Sequence, residues 1–253
     1  MNETSQIVRI AARGDGVTSE GMHLPGTAPG DTVFPDGSVV KGPNAVDPSC
    51  FHFGECGGCQ LQHINENSLK AFVSDRITFQ ATKNNIPIGN LLPVHLSKPN
   101  TRRRATLKAI PTGNGVLLGF SALRSNKIIN LSNCDVMASE FLSILPKLRD
   151  FLSNIGIKSL VEVSLSKIDQ GVDCSLKNLD LSNLRLIETT VDFASSNGLA
   201  RLTIDQGYGP ETLWEPEPVT VNLSGHAVGF PPGSFLQATQ DGENTLVNDA
   251  RSW

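Results

Sequence analysis

The chain has 253 residues, 39% of them hydrophobic and 18% charged, with a formal net charge of −4. That is enough apolar material for one large core or two smaller ones, and the acidic balance excludes a surface coated in positive charge while leaving room for a local nucleic-acid patch. No apolar run approaches the roughly 18 residues of a membrane span, the first residues lack the basic and apolar regions of a secretion signal, and an odd count of five cysteines argues against a secreted disulfide framework; a cytoplasmic setting is expected.

In chain order, residues 6–10 read as a strand, Gly14-Asp-Gly16 as a turn, and the stretch from Leu24 to Val33 as a turn leading into another strand. Residues 1–46 are therefore expected to form a small β unit, and Pro43 to Pro48 a linker. A helix should follow His63, capped by Asn67 or Ser68, with Leu69, Phe72, Val73, Ile77 and Ala81 at helical spacing and Asn84, Asn85 and Pro87 at its end. Residues 105–110 and 116–120 form a hairpin around a glycine-containing turn, and residues 127–131 read as a further strand. A second helix is expected over 139–154, then strands over 160–166, 172–177, 199–205, 219–223 and 227–230, with a final helix from about Asp241. The expected fold class is α+β: a small β unit, then a central mixed α/β domain with two main helices.

Cysteine carries most of the chemistry. Cys50-Phe-His-Phe-Gly-Glu-Cys56-Gly-Gly-Cys59 is a C-x5-C-x2-C loop, and Cys134 lies far downstream. Thiolates are soft ligands, and three close together with one distant partner can surround a single centre, either an iron–sulfur cluster or a four-thiolate zinc ion. Gly57 and Gly58 let the backbone wrap closely. His52, inside the loop, is a competing ligand. Cys174 sits in an alternating pattern with no adjacent base and reads as a structural thiol.

Arg102-Arg103-Arg104, with Lys98 before and Lys108 after, is the densest basic cluster. Guanidinium forks match phosphate oxygens, so Arg102, Arg103, Arg104 and Lys108 are candidates for phosphate contact. On a strand, Arg102 and Arg104 would share one face and Arg103 would take the other.

The cysteine loop with its Gln60-Leu-Gln-His63 continuation resembles the iron–sulfur subgroup of the TrmA/RumA-type RNA uracil-5-methyltransferases, which use S-adenosylmethionine. The resemblance implies a 4Fe-4S cluster on Cys50, Cys56, Cys59 and Cys134, with His63 supporting it from behind. It implies RNA as partner, and so implies that the phosphate met by Arg102, Arg103, Arg104 and Lys108 is RNA backbone. Ribosomal RNA is favoured over transfer RNA, with no membrane and no DNA. The β unit resembles a shortened TRAM domain, the RNA-binding barrel of many such enzymes. Phe230-Pro-Pro-Gly-Ser-Phe235-Leu-Gln237-Ala-Thr239 resembles the F-x-Q-x-N element that opens their catalytic domain, which implies that Phe235 lies near the flipped uracil and Gln237 near the donor or base. Thr239 stands where the pattern has Asn.

The resulting expectation is a β unit over 1–46, an RNA-binding domain with the cluster site over 47–234, and the start of a methyltransferase domain over 235–253. No strand–glycine–helix unit for adenosylmethionine is legible within these residues, and none matches the family's catalytic thiol. The chain alone is therefore expected to be inactive, either a fragment of a longer enzyme or a natural short protein. A non-catalytic metal-stapled RNA-binding module is the alternative, and an electron carrier the third reading.

Overall fold

The computed structural model describes residues 4–252, and its contacts divide the chain between Leu96 and Ser97. The first unit begins with β1 (Ser5–Ile10), β2 (Gly16–Thr18), β3 (His23–Leu24), β4 (Thr32–Val33) and β5 (Val39–Val40). They form an antiparallel sheet in the order β3-β2-β1-β4-β5. Its interior holds Ile7, Val17, Ala28 and Val33. Gly16 has no substitute there: a Cβ would fall 2.1 Å from the Thr27 hydroxyl oxygen. The buried Asp31 carboxylate accepts from the amides of Ala28 at 2.8 Å and Gly42 at 2.7 Å, so one side chain satisfies two turn donors that lack a ladder partner.

Residues 44–46 then run beside 63–65. Val46 N–H donates to His63 O and Asn65 N–H to Asn44 O, both at 2.9 Å, closing the neck of the cysteine loop. This pairing holds Asn65 extended, and its side chain accepts from Ser68 N–H at 2.9 Å, so Asn65, rather than Asn67 or Ser68, caps α1 (Glu66–Lys83). Asn84 ends the helix as expected. The apolar residues of α1 leave it without a single buried side chain, and Ile77 and Phe79 are exposed.

The second unit contains β6 (Arg104–Thr112), β7 (Gly115–Gly119), α2 (Ser139–Asn154), β8 (Val161–Ile168), β9 (Gly171–Lys177), α3 (Leu184–Ser196), β10 (Arg201–Asp205), β11 (Pro210–Trp214), β12 (Thr220–Leu223), β13 (His226–Gly229) and α4 (Gln240–Ser252). Six strands make one sheet, ordered β11-β10-β9-β8-β6-β7, and β12 and β13 a separate hairpin. Alternation along β6 and β8 splits the sheet into two faces there, while β10 is buried on both. Ala105, Leu107 and Ala109 of β6, Val161, Val163 and Leu165 of β8, and Cys174 and Leu176 of β9 are buried. Thr106, Lys108, Glu162, Ser164, Ser175 and Lys177 alternate with them. The buried face meets α2, which contributes Phe141, Ile144, Leu145, Leu148, Phe151 and Leu152. At about 1.5–3 kcal/mol each, six such residues outweigh the roughly 3 kcal/mol that Pro146 costs mid-helix. Phe151 stacks on Phe193 of α3 with centroids 4.3 Å apart, tying the two helices together.

Three elements differ from the sequence reading. Residues 127–131 do not complete a strand. Ile129 and Leu131 donate to the carbonyls of Phe120 and Leu118, but the Asn130 side chain accepts from Leu118 N–H at 3.2 Å where a ladder would use backbone. Helix α3 and strand β11 were not expected at all. β9 and β10 are parallel, and α3 provides their crossover. The turn before α3, residues 178–183, has no glycine, and Asn183 caps the helix by accepting from Leu186 N–H. This βαβ unit therefore lacks a phosphate-cradling turn. Among the described residues no helix is long and apolar enough to cross a membrane.

Candidate functional site

The basic segment enters the sheet as β6. Arg102 and Arg104 are exposed, and Arg103 between them is 5% exposed, so the alternation expected of a strand holds. Arg102 N–H donates to Val136 O and Ala138 N–H to Arg102 O, which lays residues 136–138 alongside the basic segment. Cys134, buried, lies two residues before that pairing. Lys108 is half-buried on the Arg104 face, and its ammonium donates to the Ser121 hydroxyl at 3.3 Å.

Arg103 turns inward. Its backbone N–H donates to Ala238 O at 2.8 Å and its Nε to Gln237 O at 3.1 Å. The rest of the guanidinium meets the Gln240 side chain and pairs with the Glu243 carboxylate. Of the four basic residues picked as RNA contacts, Arg103 is thus committed to the end of its own chain. Arg104 remains outside. Its guanidinium lies over the Phe235 ring, 5.4 Å from the centroid, and Nη1 reaches Leu236 O at 3.5 Å. Phe235 is 73% exposed, an unusual place for a phenyl ring, and Gln237 is half-buried. The structure therefore brings Arg104 against Phe235 and Arg103 against Gln237, pairs more than 130 positions apart in the sequence. Thr239 caps α4: its hydroxyl accepts from Gly242 N–H at 3.2 Å and contacts Ser97 Oγ at 2.8 Å. Threonine performs that task nearly as well as asparagine.

A second buried arginine supports this region. Arg201 makes a two-pronged contact with Asp173, at 2.9 and 3.0 Å, and donates to Phe230 O at 2.7 Å. Phe230 closes a small apolar cluster with Ile168, Ala200, Val219, Val221 and Leu236. Leu236 is thereby fixed from below while Phe235 beside it stays out. Sequence reasoning passed over Arg201 and Asp173, and an isolated Asp and Arg in two apolar strands were the only signal.

The cysteine loop belongs to the first unit. Cys50 N–H donates to the Gln62 side chain at 3.3 Å and Cys56 N–H to His52 O at 2.9 Å. Gly58 N–H points at Cys56 Sγ, 3.4 Å away, the amide-to-sulfur contact that stabilises a thiolate. His63 is buried with Nε2 3.0 Å from Thr27 O and its ring tilted against Phe53. It thus anchors the loop to the β unit rather than capping α1. The donor chemistry fits a thiolate-bound centre. Yet among the described residues no three His, Cys, Asp or Glu side chains are gathered as a metal site, so the loop as folded does not present one. Cys174 is fully buried under the helices, and burial, with the nearby Asp173 charge, pushes its thiol well above the ordinary range. That agrees with a structural role.

No family model matches the chain. Sequence comparison finds an uncharacterized RNA methyltransferase of Zymomonas mobilis, 38% identical over 96% of this chain and 62% of the relative. An uncharacterized RNA methyltransferase of Caulobacter vibrioides is 30% identical over 94% and 61%. The 23S rRNA (uracil(1939)-C(5))-methyltransferase RlmD of Pectobacterium carotovorum is 27% identical over 85% and 49%. The chain is similar to proteins named RNA methyltransferases. It spans about three-fifths of the length of the first two.

Proposed function

We propose that this chain is the RNA-recognition part of an S-adenosylmethionine-dependent RNA uracil-5-methyltransferase acting on ribosomal RNA. One observation carries the reading: the Arg104 guanidinium lies over the exposed Phe235 ring. A phosphate-binding group and an aromatic face are thereby presented side by side, in a chain whose relatives are named RNA methyltransferases. A methyltransferase that works on a base must take it out of the stack, and the flipped base needs a flat ring to rest against while its backbone is held.

In this reading Arg102, Arg104 and Lys108 hold phosphates. Phe235 offers its open face to the target uracil, and the Gln237 side chain reaches the base or the donor. Arg103 keeps Gln237 in place through its carbonyl. A thiolate that adds to carbon 6 makes carbon 5 of uracil nucleophilic toward the methyl group. Cys174 is too deeply buried to be that thiolate, and no residue of this chain is assigned the step. The same reading gives Cys50, Cys56, Cys59 and Cys134 as thiolate ligands of a 4Fe-4S cluster, with His63 and Gln62 bracing the loop. Bound there, the cluster supplies a cross-link. The β unit of residues 4–46 serves as a reduced TRAM-like module.

The test is a titration of labelled ribosomal-RNA stem-loops and of transfer RNA against this chain, followed by anisotropy. Tighter, salt-sensitive binding of the ribosomal fragment that is lost in Arg102→Ala/Arg104→Ala supports the reading. Equal or absent binding of both RNAs contradicts it.

A further inference from the structure

We infer that Tyr208, at the tip of the β10–β11 hairpin, is a second stacking post for an unpaired RNA base; the inference rests on the RNA-recognition reading above. Tyr208 is the chain's one tyrosine and is 97% exposed. The loop that carries it is built to hold a fixed shape. The Asp205 carboxylate accepts from Gly207 N–H at 2.7 Å and from Gly209 N–H at 3.2 Å, both through Oδ1. Gly207 and Gly209 have φ of 102° and 105°, a conformation other residues rarely adopt. Asn178 N–H donates to Asp205 O at 2.8 Å and ties the hairpin base to the end of β9. A fully solvated ring on a braced loop loses little freedom when it takes a partner.

Strand register places this tip relative to the proposed RNA contacts. Lys108 pairs with Glu162, Glu162 with Lys177, and Lys177 with Asp205, so one row crosses the sheet from β6 to the foot of the Tyr208 loop. The next row on the same face is Thr106, Ser164 and Ser175, with the Thr106 and Ser164 hydroxyls 3.2 Å apart, and it ends at Thr203 of β10, which is buried. Arg104 lies one row further on. Three strand spacings and four residues along β6 put the foot of the loop about 20 Å from Arg104, a span of several nucleotides. The accessible part of this face, on β6, β8 and β9, carries hydroxyls and mixed charge, suited to ribose and phosphate oxygens.

The surroundings of Tyr208 favour a base over a protein partner. Tyr208 stands 97% exposed on a loop whose flanking residues are Gln206, two glycines, Pro210 and Glu211, whereas a protein hot spot sits in an apolar core. A nucleobase brings one flat face and polar edges, which a lone ring among polar groups can accept. The row beneath carries equal numbers of positive and negative side chains. Tyr208 should therefore contribute by stacking and leave the salt dependence unchanged.

The experiment uses this chain and a fluorescein-labelled single-stranded uridine-rich RNA, with anisotropy titrations at several salt concentrations. Tyr208→Ala is expected to weaken binding about tenfold with an unaltered salt slope, while Tyr208→Phe and Tyr208→Trp stay within about twofold of the parent. Arg104→Ala is expected to lower the slope by about one. Tyr208→Ala binding within about twofold of the parent, while Arg104→Ala is weakened, would overturn the inference and leave the RNA reading standing. Equal losses in Tyr208→Ala and Tyr208→Phe would overturn it too, since the hydroxyl and not the ring would then be at work. No binding by the parent chain would remove the RNA reading itself.

Discussion

The Arg103 guanidinium and the Glu243 carboxylate are ion-paired in a nearly dry setting, with side chains 6% and 14% exposed. Removing one member of such a pair strands the other without water. Arg103→Met should therefore destabilise the second unit by about 3 kcal/mol, read from urea unfolding. Because Arg103 also holds Gln237 O, the amides of 236–243 should lose protection in hydrogen exchange. Loss below about 0.5 kcal/mol would show that the pair holds nothing.

Arg201 and Asp173 form the more deeply buried pair, with side chains 2% and 9% exposed. Asp173→Ala should cost about 3 kcal/mol, leaving the buried guanidinium with only the Phe230 carbonyl and the Glu215 carboxylate 3.8 Å away. Arg201→Leu/Asp173→Leu together should cost less than Asp173→Ala alone, a comparison that thermal or urea unfolding of the three proteins decides.

The alternation of Arg102, Arg103 and Arg104 was legible because a strand has period two, and so was α2, whose apolar spacing is strong. α3 carries apolar spacing as strong as that of α2, with Leu186, Ile187, Phe193 and Ala194 on one face, and was passed over; what no local pattern shows is that it crosses between parallel strands. Residues 127–131 look like a strand, but an asparagine side chain takes the place of a backbone acceptor. The stacking of Arg104 on Phe235 was not legible at all. It depends on Arg103 and Leu236 being drawn inward on either side, and no local pattern relates positions so far apart.

Glu140 and Lys167 make a half-exposed ion pair at 2.5 Å, and the hydrogen bond from Lys167 holds the Glu140 carboxyl below its usual 4.5. A depressed carboxylate adds stability above its unfolded value, and the contribution fades as pH falls through the folded one. Glu140→Gln should therefore narrow the difference from the parent below pH 4.5, with little change in pH dependence from 6 to 8, as followed by melting temperature. The effect is small because both groups meet solvent.

Cys174 is shielded by the sheet and helices, and its thiol is held protonated. Alkylation by iodoacetamide at neutral pH should spare it in the native protein and reach it after denaturation, as peptide mass mapping will show. Modification of native Cys174 at the rate of an exposed cysteine would contradict the buried placement.

If Cys50, Cys56, Cys59 and Cys134 hold a cluster, anaerobically prepared protein should contain about four irons and four sulfides, and any one Cys→Ser change should lose most of them. Zinc in equal amount with the protein would replace the cluster by a four-thiolate ion and leave the RNA reading intact.

The central claim is that Arg104 and Phe235 act on RNA as one unit. A double-mutant cycle on RNA affinity, with Arg104→Ala, Phe235→Ala and the combined protein, tests it most directly. The account predicts that the two losses fail to add by about 1 kcal/mol, because each change removes part of what the other group contributes. Losses that add to within about 0.3 kcal/mol would mean that the two side chains bind independently, or that one of them does not touch RNA, and would contradict it.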